Sequence, residues 1–340
     1  MDLSIRYYFN AAKTLYNLGV DIPGILSDTG IKPEVFDSPN VNIPFSLLDE
    51  LIERTAKHPT FRDEYCLAIG ESYKVTTHDI LGYAMLCSPN LDYVYKLTVK
   101  FAPFLMPAFR LKYVVQDEFV ELEFFPIVPM SRTTWVIHME TMSSLLYWNL
   151  YELTQGVMPH HDIYYSMNTP KNTDQYTNMN FARFHFDSGS NVNLRMRYPK
   201  KHIFNSLPLA DEYSLAMAED RCRNRMLEVT EKGQLIPWVT MILTQTHDTV
   251  PNLQDLSTKL NISARTLDRR LKKENTSFRE LWHKIRDQRS IKLLLDGVSV
   301  TEIAYTLGYS TPENFTRAFR KRHSFSPTEY IKQYNNDNQI

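Results

Sequence analysis

An internal repeat in the last third of the chain constrains the fold more than any other sequence feature. The segment DLSTKLNISARTLDRRLKK (255–273) and the segment EIAYTLGYSTPENFTRAFRKR (302–322) carry apolar, serine and basic residues in the same order. The second copy has one extra residue after its serine. A repeat of this kind indicates that one supersecondary unit occurs twice and that the two copies share a core.

Each copy predicts a helix, a tight turn and a second helix. The turn position holds Asn261 in the first copy and Gly308 in the second, and these residue types adopt a left-handed backbone most easily. Ser263 and Ser310 follow, where a side-chain oxygen can accept a hydrogen bond from the free N–H groups of the next helix. The repeat is therefore interpreted as two helix-turn-helix units.

Capping boxes support these helix starts. The segment Ser310–Glu313 has the spacing of a capping box with a proline in the first helical turn, and Ser277–Glu280 and Ser299–Glu302 have the same spacing at two other helix starts. A long helix is predicted over 277–295, between the two units. It would hold them a fixed distance apart, which suits successive major-groove segments about 34 Å apart.

The second helix of each unit carries the chemistry of DNA recognition. A helix-turn-helix places this helix in the major groove, where arginine pairs with guanine, asparagine pairs with adenine and lysine suits phosphates. Leu267 and Leu271 are predicted to face inward, as are Phe315 and Phe319. DNA contacts are expected from Ser263, Arg265, Thr266, Arg269, Lys272 and Lys273 in the first unit, and from Thr311, Pro312, Glu313, Asn314, Arg317, Arg320 and Lys321 in the second.

Within this set, Arg269 and Arg317 are the leading candidates for base or phosphate contacts, followed by Arg265 and Asn314. Glu313 is interpreted as a helix cap rather than a cytosine reader. Asp268 is expected to pair with a neighbouring arginine, because it lies among basic residues. A charged helix face is often merely solvated, so it is the duplication that favours DNA binding.

The distribution of charge supports the same interpretation. The net charge of the whole chain is -1, which would argue against a nucleic-acid ligand. Residues 235–340, however, carry 16 Lys and Arg against 11 Asp and Glu, whereas the preceding 234 residues carry 22 against 28. The basic part is the one that contains the repeat, and the acidic part should reduce binding to bulk DNA.

Residues 235–335 resemble the DNA-binding domain of the AraC/XylS family of bacterial transcription regulators, which consists of two helix-turn-helix units joined by a linker helix. Ser324 departs from the pattern, because a helix-ending glycine is usual there. The resemblance implies binding to promoter or operator DNA and contact with RNA polymerase. It rests on EIAYTLGYSTPENFTRAFRKRHSFSPTEY, including Ala304, Gly308, Phe315, Arg317, Phe319, Pro327 and Tyr330.

The first two-thirds of the chain are predicted to be an α+β domain. Helices are expected over 44–57, 90–101 and 133–153 and from about Asp211 onwards, and strands over 109–115 and 118–125. A hairpin is expected over 181–198, with its turn at Asp187–Asn191. The predicted organisation is an effector-sensing or dimerisation domain over 1–230, a linker at 231–234, an all-α double helix-turn-helix domain over 235–335 and a polar tail at 336–340.

The segments 78–105 and 207–222 resemble the effector domain of ornithine-utilisation regulators of the same family, which implies a sensory or dimerisation role without naming a ligand. Arg183 and His185 are predicted to share a sheet face with Arg195 and Arg197, and that face could bind an anionic ligand or simply meet water. The remaining aromatic residues are interpreted as core more than as pocket: Tyr83, Tyr93, Tyr95, Tyr147, Trp148 and Tyr151.

Two short motifs suggest an enzyme only weakly. His138-Met139-Glu140 has the His-x-Glu of zinc deaminases without the cysteine motif that should follow. His160-His161-Asp162 is interpreted as a solvated loop rather than a metal site, because no fourth ligand is evident. Three distant cysteines fit a reducing compartment. We therefore expect neither catalytic residues nor a metal or cofactor.

The sequence thus predicts a cytoplasmic, sequence-specific regulator, with no signal peptide and no membrane-spanning segment. It is expected to be an activator that binds double-stranded DNA and RNA polymerase, and its N-terminal domain is expected to sense a small molecule, to form homodimers or to do both. Two alternatives stay open: a regulator controlled only by a protein partner or by dimerisation, and an enzyme with an appended DNA-binding module.

Overall fold

The protein is described here by a computed structural model. Contacts within the chain divide it into two compact units, Met1–Asn224 and Arg225–Ile340. The predicted linker 231–234 lies outside the described residues. The described residues are 2–29, 41–170, 173–188, 193–229, 235–245, 252–259 and 263–337.

The first unit is α+β, as predicted. A small antiparallel pair of strands, β1 (Asp2–Ser4) and β2 (Asn42–Pro44), forms a sheet separate from a larger five-stranded sheet. The helices and 3-10 turns of the first unit are α1 (Arg6–Asn17), α2 (Ile22–Asp28), α3 (Phe45–Lys57), α4 (Tyr65–Ser72), Val75–His78, α5 (Ile80–Leu86), α6 (Leu91–Leu105), α7 (Arg132–Leu153), Asp174–Tyr176, α8 (Lys200–Ile203) and α9 (Glu212–Val229). The last five residues of α9 belong to the second unit. The strands of the first unit are β1 (Asp2–Ser4), β2 (Asn42–Pro44), β3 (Phe109–Val115), β4 (Phe119–Pro126), β5 (His161–Tyr165), β6 (Ala182–His185) and β7 (Leu194–Pro199).

The large sheet has the strand order β3-β4-β7-β5-β6. Only β5 and β6 run parallel, and the other neighbours are antiparallel. Strands β3 and β4 and helices α3, α6 and α7 lie where the sequence predicts them. One face of the sheet buries apolar residues of β4, β5 and β7, and α6 and α7 contact its strands, so that the core lies between the sheet and these helices.

The predicted hairpin over 181–198 is wrong. Strands β6 and β7 do not pair with each other, because β5 lies between them and pairs with both. Strand β5 buries His161, Ile163 and Tyr165 completely, and a central position in the sheet satisfies its backbone on both edges. Residues 189–191 of the predicted turn lie outside the described part of the chain.

Helices α4 and α7 cross at very short range. A Cβ atom at Gly70 would lie 2.4 Å from the carbonyl oxygen of Thr141 and 2.5 Å from the Cβ of Ser144. The hydroxyl of Ser144 donates to the carbonyl oxygen of Leu67 at 2.7 Å. The absence of a side chain at Gly70 therefore permits the packing of α4 on α7, the longest helix of this unit.

The second unit is all-α, as predicted. In the second helix-turn-helix, Gly308 has a φ of +72° at the turn, as its position predicts. The corresponding turn residue of the first unit, Asn261, lies outside the described residues. The described helices of this second unit are α10 (Leu235–Gln245), α11 (Leu253–Lys259), α12 (Ala264–Lys273), α13 (Phe278–Leu295), α14 (Val300–Thr306), α15 (Pro312–His323) and α16 (Pro327–Asp337).

Most of the predicted helix caps are present. The Ser263 side chain accepts from the N–H of Thr266 at the start of α12. Ser277 and Glu280 form the full capping box of α13. At the start of α14, Ser299 accepts from the N–H of Glu302, which is the serine half of the box predicted there.

The cap of α15 differs from the prediction. Thr311, not Ser310, is the N-cap residue, and its side chain accepts from the N–H of Asn314 while Pro312 occupies the first turn. The reason is the extra residue that follows the serine in the second copy of the repeat, which moves the helix start one position along the chain. Ser310 instead accepts a hydrogen bond from Nδ2 of Asn314 at 2.8 Å.

Candidate DNA-binding surface and ligand cavity

Buried apolar side chains orient each of the two recognition helices, α12 and α15. Leu267 and Leu271 are completely buried on α12, and Phe315 and Phe319 are buried on α15, as predicted. Around α15 the core also contains Leu294, Ile303, Ala304 and Leu307. Because these apolar residues fix the inward face of each helix, the basic residues between them point outward.

The outward face of α12 carries both paired and unpaired cations. Arg265, Arg269 and Lys273 are exposed, and no described carboxylate lies within ion-pair distance of them. Lys272, in contrast, lies 2.7 Å from the carboxylate of Asp268, so the predicted pairing of Asp268 with an arginine is wrong. A lysine four residues away is the favourable partner on one helix face.

Two other predicted contact residues of the first unit take part in the cap of α12. The hydroxyls of Ser263 and Thr266 lie 2.8 Å apart, and the Ser263 oxygen accepts from the N–H of Thr266. Both residues lie at the helix start, which is where backbone and hydroxyl groups can meet a phosphate. Within the protein they hold the first turn of α12 in place.

The same division into paired and unpaired cations occurs on α15. Arg317 and Lys321 are exposed, and no acidic partner is found for them in the part of the chain that the structure describes. Arg320 lies 3.3 Å from the carboxylate of Glu329 on α16. We call the five exposed, unpaired residues of the two recognition helices the free cations: Arg265, Arg269, Lys273, Arg317 and Lys321.

Glu313 has the environment of a capping residue. Its own backbone N–H and the hydroxyl of Thr311 donate hydrogen bonds to its carboxylate, and they lower its pKa. This arrangement fits the interpretation of Glu313 as part of the helix start, where a negative charge is favourable. Pro312 lies beside it at the first helical position.

Helix α13 is bonded to a helix on each side of it. Nη2 of Arg289 donates to the carbonyl oxygen of Leu243 at 3.0 Å, and Leu243 lies on α10, the helix that precedes the first helix-turn-helix. Toward the second helix-turn-helix, Nη1 of Arg322 donates to the carbonyl oxygen of His283 at 2.7 Å, and Nε2 of His323 lies 2.7 Å from Asp287. Sequence reasoning predicts the linker helix but misses these bonds, because spacing along the chain does not indicate them.

The four basic residues predicted to share a sheet face do share it, although not through a hairpin. Asp162 on β5 lies beside Arg183 on one side and Arg197 on the other. His185 and Arg195 flank the next outward residue of β5, Tyr164, and the ring of Tyr164 stacks on that of His185 with the centroids 4.5 Å apart.

This face also carries its own counter-ions. Asp162 lies 2.9 Å from Nε of Arg183 and 2.8 Å from Nε2 of His185. Partial burial would raise the pKa of Asp162, but the hydrogen bonds from His185 and Arg183 outweigh it and lower that pKa. Glu121 lies 2.9 Å from Nε of Arg197 and 3.8 Å from Nη1 of Arg195. An anionic ligand would have to displace these carboxylates.

The His-x-Glu motif on α7 does not form a joint site. Burial lowers the pKa of His138 to about 4, and its Nδ1 lies 2.7 Å from the carbonyl oxygen of Thr134. Burial raises the pKa of Glu140 to about 7, and its carboxylate accepts from the hydroxyl of Tyr176 at 2.5 Å. Each side chain has its own separate hydrogen-bond partners.

The interpretation of 160–162 as a solvated loop is wrong. His161 begins strand β5, is completely buried, and has a pKa that burial lowers to about 4. The strand was missed because its polar first residues hide an alternation of buried side chains. Within the described ranges, no group of three or more His, Cys, Asp and Glu residues is arranged to hold a metal ion.

A cavity of about 150 Å³ lies among α1, α2, α3, α4 and α7. Sequence reasoning did not find it, because its walls come from helices far apart in the chain. None of the aromatic residues weighed above lines it: Tyr95 and Tyr147 belong to the core, whereas Tyr83 and Tyr151 are largely exposed. We call it the helical cavity.

Comparison with known proteins decides the family. A sequence profile described as the arabinose-binding domain of the AraC transcription regulator matches residues 19–191, and a helix-turn-helix domain profile matches residues 256–333. The chain belongs to the AraC family of transcription regulators. It is therefore a DNA-binding transcription regulator with an N-terminal domain of the effector-binding type.

Relatives in this family align over most of the chain. The ornithine utilization regulator of Pseudomonas aeruginosa is 24% identical over 92% of this chain and 91% of its own length. The regulator VqsM of the same organism is 24% identical over 79% of this chain and 83% of its own. The crystal structure of the regulator CdpR of Pseudomonas aeruginosa superposes with a TM-score of 0.44 and 17% identity, over 94% of this chain and 98% of that one. In the described ranges, no helix has the length and hydropathy needed to cross a bilayer.

Proposed function

We propose that this regulator binds its operator through the free cations of α12 and α15. The observation that carries the proposal is their matched placement: Arg269 and Arg317 occupy equivalent positions of the repeat, and both are exposed and unpaired in the described structure. An unpaired guanidinium can contact guanine or phosphate without first breaking an ion pair. Lys272 and Arg320 would have to leave Asp268 and Glu329.

The other predicted contact residues have secondary roles in this proposal. Asn314 can read adenine only after it releases Ser310. Ser263, Thr266 and Thr311 form caps, and with Pro312 and Glu313 they set the start of each recognition helix. Backbone N–H groups at these starts are suited to contact phosphates.

Binding of the full chain to a duplex selected from a random library would test the proposal. Arg269→Ala and Arg317→Ala should each weaken binding by about 1–3 kcal/mol if the arginine reads a base, or reduce the salt slope by about one if it contacts a phosphate. Arg269→Lys and Arg317→Lys separate the two cases, because lysine keeps the charge but loses the bidentate geometry. Lys57→Ala, an exposed lysine of the first unit, controls for net charge.

The result that contradicts the proposal is equally specific. If Arg269→Ala and Arg317→Ala combined leave both the affinity and the salt slope unchanged, the free cations do not contact DNA. An effect of Lys57→Ala equal to that of either arginine would show that only the total charge matters.

We further propose that the first unit controls DNA binding in response to a small molecule, that the chain forms homodimers and that it activates transcription with RNA polymerase in the cytoplasm. The effector-binding profile over 19–191 and the helical cavity support sensing. Transcription in vitro from the selected duplex, joined to a weak promoter, would test activation: RNA synthesis should rise with added protein, and a fall would instead identify a repressor.

A further inference from the structure

We infer that the helical cavity binds a small uncharged molecule that is mainly apolar and carries one hydroxyl group. This inference rests on the proposed sensory role of the first unit and adds the chemical class of the ligand. It differs from what the names of the relatives suggest, since arabinose carries several hydroxyls and ornithine is charged.

Among the residues that the structure describes, no charged side chain lines the helical cavity. The described lining includes Ala11 and Ala12 of α1, Ile25 of α2, Leu48 of α3 and Ile69 of α4, and it contains no Asp, Glu, Lys, Arg, Asn or Gln. An amino acid would bring charges that have no counter-ion there, and burying an unpaired charge costs several kcal/mol. A sugar would bring hydroxyls that exceed the available partners.

Most polar groups in the walls already have partners in the protein. The hydroxyl of Thr55 donates to the carbonyl oxygen of Leu51 at 2.8 Å, and that of Thr141 donates to the carbonyl oxygen of Cys66 at 3.2 Å. The hydroxyl of Tyr73 likewise donates to a backbone carbonyl of α1, and the hydroxyl of Tyr7 is hydrogen-bonded to Nδ1 of His78 at 3.2 Å. None of these donors is therefore available to a ligand without the loss of an internal hydrogen bond.

The remaining polar pair consists of Tyr8 and His138. The Tyr8 hydroxyl lies 3.0 Å from Nε2 of His138, while Nδ1 of His138 lies 2.7 Å from the carbonyl oxygen of Thr134. The carbonyl can only accept, so Nδ1 carries the proton and Nε2 accepts from Tyr8. The Tyr8 oxygen then retains a lone pair, which can accept a hydrogen bond from one ligand hydroxyl.

The size of the helical cavity limits the ligand further. An apolar cavity of about 150 Å³ holds a molecule of the size of benzene, and the helical cavity has this volume. A smaller cavity of about 50 Å³ shares Leu105, Met106, Met142 and other residues with it. Methionine side chains repack readily, so a short alkyl substituent can extend in that direction. A phenol with a small alkyl group fits both the volume of the helical cavity and the single hydrogen-bond acceptor that Tyr8 offers.

Thermal unfolding of the full chain with four probes tests this inference. At about 100 times its dissociation constant, p-cresol should raise the unfolding temperature of the first unit by about 5–10 °C, since a ligand of the folded state stabilises it by mass action. Toluene should bind more weakly. L-arabinose and L-ornithine should produce no shift.

Two variants locate the site. Ala12→Phe should fill the helical cavity and abolish the p-cresol shift, whereas Ala210→Phe, at an exposed position, should leave it intact. Tyr8→Phe should weaken p-cresol about fivefold and leave toluene unchanged, because it removes the oxygen that accepts from the ligand hydroxyl, together with the hydrogen bond to His138, and changes no apolar wall. Tyr93→Phe is its control, since the Tyr93 hydroxyl bonds Glu219 and does not line the cavity.

The inference is overturned if p-cresol produces no shift, if the shift survives in Ala12→Phe, or if arabinose or ornithine stabilises the chain instead. If Ala12→Phe does not fold, Tyr8→Phe still tests the inference, because its affinity for p-cresol should fall while its affinity for toluene stays the same. Failure of the proposed sensory role gives a different result from failure of this inference. In that case p-cresol would stabilise the chain but would not change its affinity for the selected duplex.

Discussion

The buried carboxyl group of Glu140 should make the stability of the first unit depend on pH. Glu140 lies in the middle of α7, accepts hydrogen bonds from Tyr176 at 2.5 Å and from Gln175 at 3.4 Å, and hydrogen-bonds with the Cys66 thiol. Burial raises its pKa from the ordinary 4.5 to about 7. At about 1.4 kcal/mol per pKa unit, ionisation of Glu140 costs the folded state about 3 kcal/mol.

The sign follows from proton binding. Between the unfolded and the folded pKa, the folded state binds more protons than the unfolded state, so the free energy of unfolding falls as the pH rises. The contribution of Glu140 to the free energy of unfolding is complete below about pH 4.5. It should be smaller by about 2 kcal/mol at pH 6 and by about 3 kcal/mol at pH 8. Glu140→Gln cannot ionise and keeps an oxygen for Tyr176, so its advantage over the native chain should grow by about 3 kcal/mol from pH 4 to pH 8.

Urea unfolding of the full chain at a series of pH values, followed by tryptophan fluorescence, measures this difference. Glu50→Gln removes an exposed carboxylate and controls for net charge. Tyr176→Phe removes a hydrogen bond that lowers the pKa of Glu140, so it should move the pH dependence to higher pH. Parallel pH profiles for Glu140→Gln and the native chain would refute the reasoning.

Three further changes have defined expectations. Gly70→Ala should lower the free energy of unfolding by about 1–3 kcal/mol in urea, because its Cβ would lie 2.4 Å from a backbone oxygen of α7; an unchanged value would contradict the close crossing. Ser324→Gly should raise the stability of the second unit by about 1 kcal/mol in thermal unfolding, since Ser324 ends α15 with a φ of +66°. Ser277→Ala should cost about 1 kcal/mol by removing the capping box of α13, and a cost near zero in urea unfolding would show that this box does not stabilise the helix.

The second unit could be predicted from the sequence because its signals are local. Serine caps, a turn glycine and apolar residues three and four positions apart specify a helix within about ten residues of themselves. The predicted cap of α15 lies one residue too early, because both Ser310 and Thr311 can cap and the extra residue of the second copy places Thr311 at the helix start. Ion pairs such as Lys272 with Asp268 depend on rotamers that the sequence does not specify.

The first unit could be predicted only in part, because its structure depends on contacts distant in sequence. The pairing of β6 and β7 looked local, yet β5 enters between them from a segment that begins at His161. The helical cavity is less predictable still, since Tyr8 and His138 are 130 residues apart. No pattern along the chain indicates that these two side chains meet.

The bonds of α13 have a consequence for the promoters that this regulator can use. Arg289 ties α13 to α10, which in turn packs on α12, and Arg322 and His323 of α15 bond to α13. We therefore expect the two recognition helices to keep a fixed spacing. Each base pair inserted between the two recognised segments rotates one of them about 34–36° around the duplex axis. Operators should therefore tolerate base substitutions more readily than insertions or deletions between the two recognised segments. A search for target genes should keep that spacing constant and allow substitutions within the segments.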